Sequence, residues 1–242
     1  MTTDYKGISE NLAALHQRMA AACAQAGRAP DAVTLLAVGK AQPAAALAAA
    51  AAAGQRDFAE NYVQEALVKI DALRLDTSAR GRACAGLAWH FIGPLQSNKT
   101  ARVAATFDWV HSVDREKVAR RLSEQRPAAL PPLNVCVQIN ISGESSKSGV
   151  TPEDAAALCR VVAALPRLRL RGLMAIPAPL KKGDSPRPYR RLRELFESLR
   201  REFELDTLSA GMSDDFEAAI AEGSTMIRIG TAIFGPRTKP TA

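Results

Sequence analysis

Val33-Thr-Leu-Leu-Ala-Val38, followed by Gly39-Lys40, Pro43 and the ten residues from Ala44 to Ala53, nine of them alanine, reads as a strand, a turn and a helix. The first run is apolar and of strand length, and the alanine run has the highest helix propensity available before it stops at Gly54. Upstream, the segment from Ile8 to Ala26 carries Leu12, Leu15 and Met19 at spacings of three and four, then Gly27 and Pro30. That pattern predicts a helix that opens the chain and then stops.

Downstream the same grammar repeats. Asp57 to Ala59 precedes a helix from about Tyr62 to Leu73, Ala88 to Ile92 precedes one after Pro94, and Trp109 to His111 precedes one from Asp114. Val135 to Ile141 leads to a helix from Thr151-Pro152, and Leu168 to Met174 to one running through Leu192 to Phe203. Thr207 to Ser209 leads to a helix from Ser213, and Met226 to Ile229 closes the series as the eighth strand. Short apolar strands alternating with helices imply parallel pairing, because a parallel neighbour must be reached by a crossover. Eight such units predict an α/β fold, a (β/α)8 TIM barrel in a single domain over residues 1–242, with an extra N-terminal helix. The competing open doubly wound sheet lacks its Gly-x-Gly-x-x-Gly turn after every predicted strand.

Size and composition agree. The chain has 242 residues, 47% apolar and 24% charged, close to the roughly 250 residues of a closed barrel and well outside the disordered range. Lys and Arg exceed Asp and Glu by 32 to 25, a net charge of +7, so an anionic ligand is favoured without being specified. The longest uncharged stretch, Ala41 to Gln55, is shorter than the roughly 20 apolar residues of a membrane span, and no span is expected. The opening residues lack the apolar core of a secretory signal, so a cytoplasmic address is expected. Cys23, Cys84, Cys136 and Cys159 lie far apart without metal-ligand spacing and read as small hydrophobes.

In a barrel the chemistry sits where the strands end. Gly39-Lys40, Glu60-Asn-Tyr62, His90 to Gly93, His111-Ser112, Gln138 with Asn140, Ala210 to Ser213 and Arg228 to Thr231 all fall at such exits. Lys40 is the most telling: partly desolvated and near Arg228 if the first and eighth strands are neighbours, its amine would be poised to attack an aldehyde. A solvated or ion-paired strand-end lysine is the alternative. Ser213 is a preferred helix N-cap residue, and Gly230 with Thr231 follows the adjacent strand, so the two exits offer either a phosphate cradle or simple capping. Asp214 and Asp215 suit a helix dipole but oppose a phosphate unless they turn away. His90 and His111 read as general bases or as packed histidines. The basic group Lys181, Lys182, Arg187, Arg190, Arg191, Arg193, Arg200 and Arg201 reads as a solvated helix face or an RNA-binding strip.

Several ordered blocks resemble one family. They are Leu36-Ala-Val-Gly-Lys40, Glu60-Asn-Tyr-Val-Gln-Glu65, Trp89-His-Phe-Ile-Gly-Pro-Leu-Gln-Ser-Asn-Lys99, His111-Ser-Val-Asp-Arg115 and Gln138-Ile-Asn-Ile-Ser142 with Lys147-Ser-Gly149. Gly172-Leu-Met174, Gly211-Met-Ser-Asp-Asp-Phe-Glu-Ala-Ala-Ile220 and Gly223-Ser-Thr-Met-Ile-Arg-Ile-Gly-Thr-Ala-Ile-Phe-Gly235 complete the set. Together they are similar to the pyridoxal phosphate homeostasis proteins, with Gly39 standing where that family usually has Ser and Ala59 where it usually has Gly. The resemblance implies a barrel like the N-terminal domain of alanine racemase, holding pyridoxal 5′-phosphate as a Schiff base on Lys40. It further implies Asn61 beside the cofactor, Ser213, Gly230 and Thr231 at its phosphate, and Arg228 facing the pyridine nitrogen.

An arginine there weakens the cofactor as an electron sink, and seven residues after Gly235 are too few for a domain that would add a catalytic tyrosine. The expected role is therefore a carrier and regulator of the cofactor, affecting amino-acid and keto-acid balance. Apo enzymes that use the cofactor are its expected partners, and a monomer is the expected state. A pyridoxal-dependent amino-acid racemase, or an RNA- or phosphate-binding barrel, are the alternatives.

Overall fold

The computed structural model describes residues 5–144, 148–178 and 185–235. In chain order the elements are α1 (Lys6–Gln25), β1 (Thr34–Val38), α2 (Ala44–Ala52), β2 (Asp57–Glu60), α3 (Val63–Leu75), α4 (Ala79–Arg82), β3 (Ala88–Phe91) and, after a 3₁₀ turn at Ser97–Lys99, α5 (Thr100–Thr106). There follow β4 (Trp109–Val113), α6 (Glu116–Gln125), β5 (Leu133–Ile139), α7 (Ala155–Ala163), β6 (Leu168–Ala175), α8 (Arg187–Phe203), β7 (Thr207–Ser209), α9 (Phe216–Ala221), β8 (Met226–Ile229) and α10 (Thr231–Phe234). The eight strands close in sequence order into a parallel barrel, β1 pairing with both β2 and β8.

Strand periodicity sorts the core into two parts. On β1, Leu35 and Ala37 face the helices, whereas Leu36 and Val38 belong to a separate cluster with Ala59, Ile92, Trp109, Cys136, Met174 and Met226. This second cluster is the barrel interior, drawn from inward-facing positions of successive strands. The first cluster is the shell between strands and helices, filled by residues such as Phe58, Phe91, Val135, Leu208 and Ile227.

The opening helix has a structural task. β8 is followed only by the four-residue α10, and α1 packs against α2, α9 and α10, so it fills the place of the eighth outer helix. Asn11 donates to the carbonyl of Ile233 at 2.9 Å, tying α1 to the seam between β8 and β1.

Two sequence expectations are corrected in detail. β5 begins at Leu133 rather than Val135, because Asn134 pairs in register with Arg169 while its side chain accepts from Arg171 at 3.0 Å. The helix after β7 begins at Phe216, with Asp215 and not Ser213 at its N-cap. The Asp215 carboxylate takes the Met212 N–H at 2.8 Å, which tightens the intervening turn and delays the helix. The predicted basic group is described only from Arg187 onward, and Lys181 and Lys182 lie outside the described residues.

Candidate functional site at the barrel mouth

One cleft of about 290 Å³ opens at the C-terminal ends of the strands, and Lys40, Asn61, Ser213, Arg228, Gly230 and Thr231 all line it. Val38, Ile92, Ile176 and Met212 give it apolar walls. Its residues come from the exits of β1, β2, β3, β6, β7 and β8, so only ring closure assembles it.

Lys40 lies two residues past the end of β1, and the backbone on either side of it is tied to α3. Lys69 Nζ donates to the Gly39 carbonyl at 2.6 Å, to Glu60 Oε1 at 2.8 Å and to Glu65 Oε1 at 2.6 Å. Glu65 Oε1 also accepts the Ala41 N–H at 2.6 Å, and Ala41 sits at φ 59°, a left-handed conformation that this bond helps to hold. A Cβ at Gly39 would lie 2.6 Å from Glu60 Oε1. The glycine therefore makes room for the buried Glu60–Lys69 pair, and the contacts of its neighbours, not its own side chain, set the local backbone. Burial pushes the Glu60 carboxyl up to about 7 despite the opposing pull of Lys69.

Asn61 ends β2. Its carbonyl stands where a Cβ at residue 93 would have to be, 2.0 Å away, so Gly93 permits the close approach of the two strand exits. Asn61 Oδ1 is buried without a hydrogen-bond partner among the described residues. That atom is an unmet acceptor of a residue lining the cleft.

Arg228 is the buried cation of the site, 4% exposed. Nη1 donates to Ser209 Oγ and Nη2 to the Ala175 carbonyl, each at 2.8 Å. Burial lowers its pKa to about 10, while Tyr189, Asp215 and Cys136 oppose the shift, so it is a cation at neutral pH. The Asp215 side chain is turned inward onto its own turn and only Asp214 reaches the cleft rim. Tyr189 is buried, and burial first and the Asp215 carboxylate second push its pKa up.

Glu60, Glu65 and Lys69 escaped the sequence reading as site residues, although the i,i+4 spacing of Glu65 and Lys69 is a visible helix-pair signal. His90 and His111, read as either bases or packed residues, are both fully buried and bonded to each other at 3.0 Å. Tyr62 is 61% exposed and lines a separate surface groove with Pro94 and Lys99. Among the described residues no cluster of His, Cys, Asp and Glu could hold a metal ion, and no helix is long and apolar enough to cross a membrane.

Residues 10–238 match the family model described as alanine racemase, N-terminal domain. The chain is 58% identical over 231 residues to the pyridoxal phosphate homeostasis protein of Pseudomonas aeruginosa, covering 95% of this chain and 96% of that one. It is 54% identical over 234 residues to the protein of the same name from Escherichia coli K12, covering 95% and 97%. Among solved structures, PipY of Synechococcus elongatus PCC7942 with PLP bound superposes with a TM-score of 0.78 at 36% identity, covering 94% of this chain and 100% of that one.

Proposed function

This chain belongs to the pyridoxal phosphate homeostasis protein family, built on the alanine racemase N-terminal domain, and from that premise we propose that it binds pyridoxal 5′-phosphate in the Lys40 cleft and holds, buffers and hands on the cofactor. The observation that carries the reading is the meeting of Lys40 and the buried cation Arg228 in one cleft, with Ser213, Gly230 and Thr231 along its edge. These residues fit the group. An aldehyde calls for an amine, a pyridine ring for apolar walls and a donor at its nitrogen, and a phosphate for hydroxyls and backbone N–H groups. The unmet Asn61 Oδ1 is a further polar atom that a ligand would satisfy.

In this reading Lys40 holds the cofactor covalently through its ε-amine, Ser213, Gly230 and Thr231 bind its phosphate, Asn61 lies beside it and Arg228 faces the ring nitrogen. When bound, pyridoxal phosphate supplies an electron sink for amino-acid chemistry. Arg228 donates hydrogen bonds and favours an unprotonated nitrogen, the state in which that sink is weak. Tyr189 is buried with its proton held tightly, and Tyr62 points to another groove. Neither is set to move a proton at an amino acid in the cleft, which favours a carrier over a racemase. The proposal extends to a cytoplasmic monomer that passes the cofactor to apo forms of enzymes that use it, with consequences for amino-acid and keto-acid balance.

Spectrophotometric titration tests it. Wild-type protein should develop a visible absorbance band with pyridoxal phosphate that Lys40→Ala lacks. A band of equal strength in Lys40→Ala protein would remove Lys40 from its role, and exchange of an amino-acid α-hydrogen at enzymatic rates would overturn the carrier reading.

A further inference from the structure

The barrel interior holds a row of polar side chains that the cofactor reading does not use. From the base of the cleft, Arg228 Nη1 lies 2.8 Å from Ser209 Oγ, and Ser209 Oγ lies 2.9 Å from His111 Nδ1. His111 Nε2 lies 3.0 Å from His90 Nδ1, and His90 Nε2 lies 3.1 Å from Asp57 Oδ1. Ser209, His111 and His90 are completely buried, whereas the Asp57 side chain is 31% exposed at the start of β2. The row therefore crosses five strands, from the mouth of the barrel to its floor.

We propose that Ser209, His111 and His90 are positioning residues for Arg228: anchored at Asp57, they form a hydrogen-bonded chain of fixed direction that holds the Arg228 guanidinium as a donor at the base of the cleft. The direction follows from counting protons. A neutral imidazole has one N–H and one bare nitrogen, and a carboxylate only accepts. Facing Asp57, His90 must place its proton on Nε2, which leaves Nδ1 bare. His111 must then donate from Nε2, leaving its own Nδ1 bare to accept the Ser209 hydroxyl. Ser209 has thereby spent its only proton, so its oxygen presents lone pairs to Arg228, which donates in any state.

The reverse direction sets two acceptors face to face at Asp57 and leaves the Ser209 proton without a partner in the row. Burial, His90 and the nearby Arg228 charge all hold the pKa of His111 well below the ordinary histidine value, in keeping with a neutral ring. Trp109 stacks on His90 at 5.4 Å between centroids and fixes its plane. Two buried histidines in a row are costly unless every donor and acceptor is matched, and this direction matches them all.

The consequence for the cofactor rests on the pyridoxal phosphate reading; the direction of the chain does not. Long-range nitrogen–proton NMR of the ¹⁵N-labelled protein without added cofactor reads the tautomers directly at neutral pH. His90 and His111 should both carry the proton on Nε2, with Nδ1 bare. A proton on His111 Nδ1, or a doubly protonated His90, would overturn the proposal. Ser209→Ala should leave both histidine protons on Nε2, because their placement is set from Asp57, while it weakens pyridoxal phosphate binding about tenfold, or about 1.4 kcal/mol, and Ser209→Thr should restore binding. Unchanged binding in Ser209→Ala would equally overturn it. If Ser209→Ala does not fold, Asp57→Ala at the half-exposed end should free the His90 tautomer, and a single unaltered tautomer there would count against the chain. Failure of the wild type to bind pyridoxal phosphate would sink the cofactor reading alone, since the tautomers are measured without it.

Discussion

Lys40 owes its position to residues that are not in the cleft. Gly39 and Ala41 are held by Lys69 and Glu65, and Lys69 neutralises a Glu60 carboxylate that has no exposure to water. Removing one member of a buried pair strands the other, so Lys69→Met should cost about 3–5 kcal/mol in urea unfolding. Part of that loss should return in the double variant with Glu60→Gln, which no longer buries a charge. The pH dependence has a definite sign. Glu60 titrates near 7 in the folded chain against an ordinary value of 4.5, so its contribution to stability is complete below about 4.5 and is lost as pH rises through about 7. Glu60→Gln should flatten the stability curve across that window; an unchanged slope would show that Glu60 is not the group responsible. The six cleft residues were legible in the sequence because strand exits and a family resemblance marked them. The Glu60–Glu65–Lys69 group and the histidine row were not, since, the i,i+4 pair apart, their members lie 9, 21, 30, 33 and 98 residues apart and meet only when separate elements pack together.

At the level of elements, all eight strands could be read because each is a short apolar run bounded by turn residues. Ends were harder. Ser213 has the chemistry of a cap, yet Asp215 two residues later competes for the same turn and captures the Met212 N–H. The four-residue α4 and α10 are too short to show a helical period. β6 carries an irregularity: its register with β5 shifts by one residue, from Val135↔Leu170 to Cys136↔Gly172. At that point Arg171 lies over Trp109, 4.7 Å from the ring centroid, and pairs with Asp206 at the barrel floor. A Cβ at Gly172 would fall 1.6 Å from the Thr207 carbonyl oxygen. Gly172→Ala must therefore push β6 from β7, and we expect a loss of more than about 3 kcal/mol or failure to fold, read by thermal unfolding. On α1, Leu15 is 2% exposed in the shell beneath the helix, and Leu15→Ala should cost about 2–5 kcal/mol.

For the whole molecule, the excess of positive charge is less available than composition implies. Arg190 and Arg193 on α8 both pair with Glu222, and Arg200 pairs with Glu197. Three of the six arginines on the described part of that helix are thus ion-paired, while the buried charge of Arg228 lies in the cleft. Ligand binding to the folded state alone raises stability by about 2.7 kcal/mol at a hundredfold excess over Kd. Pyridoxal phosphate should accordingly raise the melting temperature of the wild type by several degrees and that of Lys40→Ala by much less. The most direct measurement is borohydride reduction of the protein with pyridoxal phosphate, followed by peptide mapping of the stable adduct. The modified residue should be Lys40 and the labelling close to one per chain; an adduct spread over surface lysines, with Lys40 unmodified, would contradict the account.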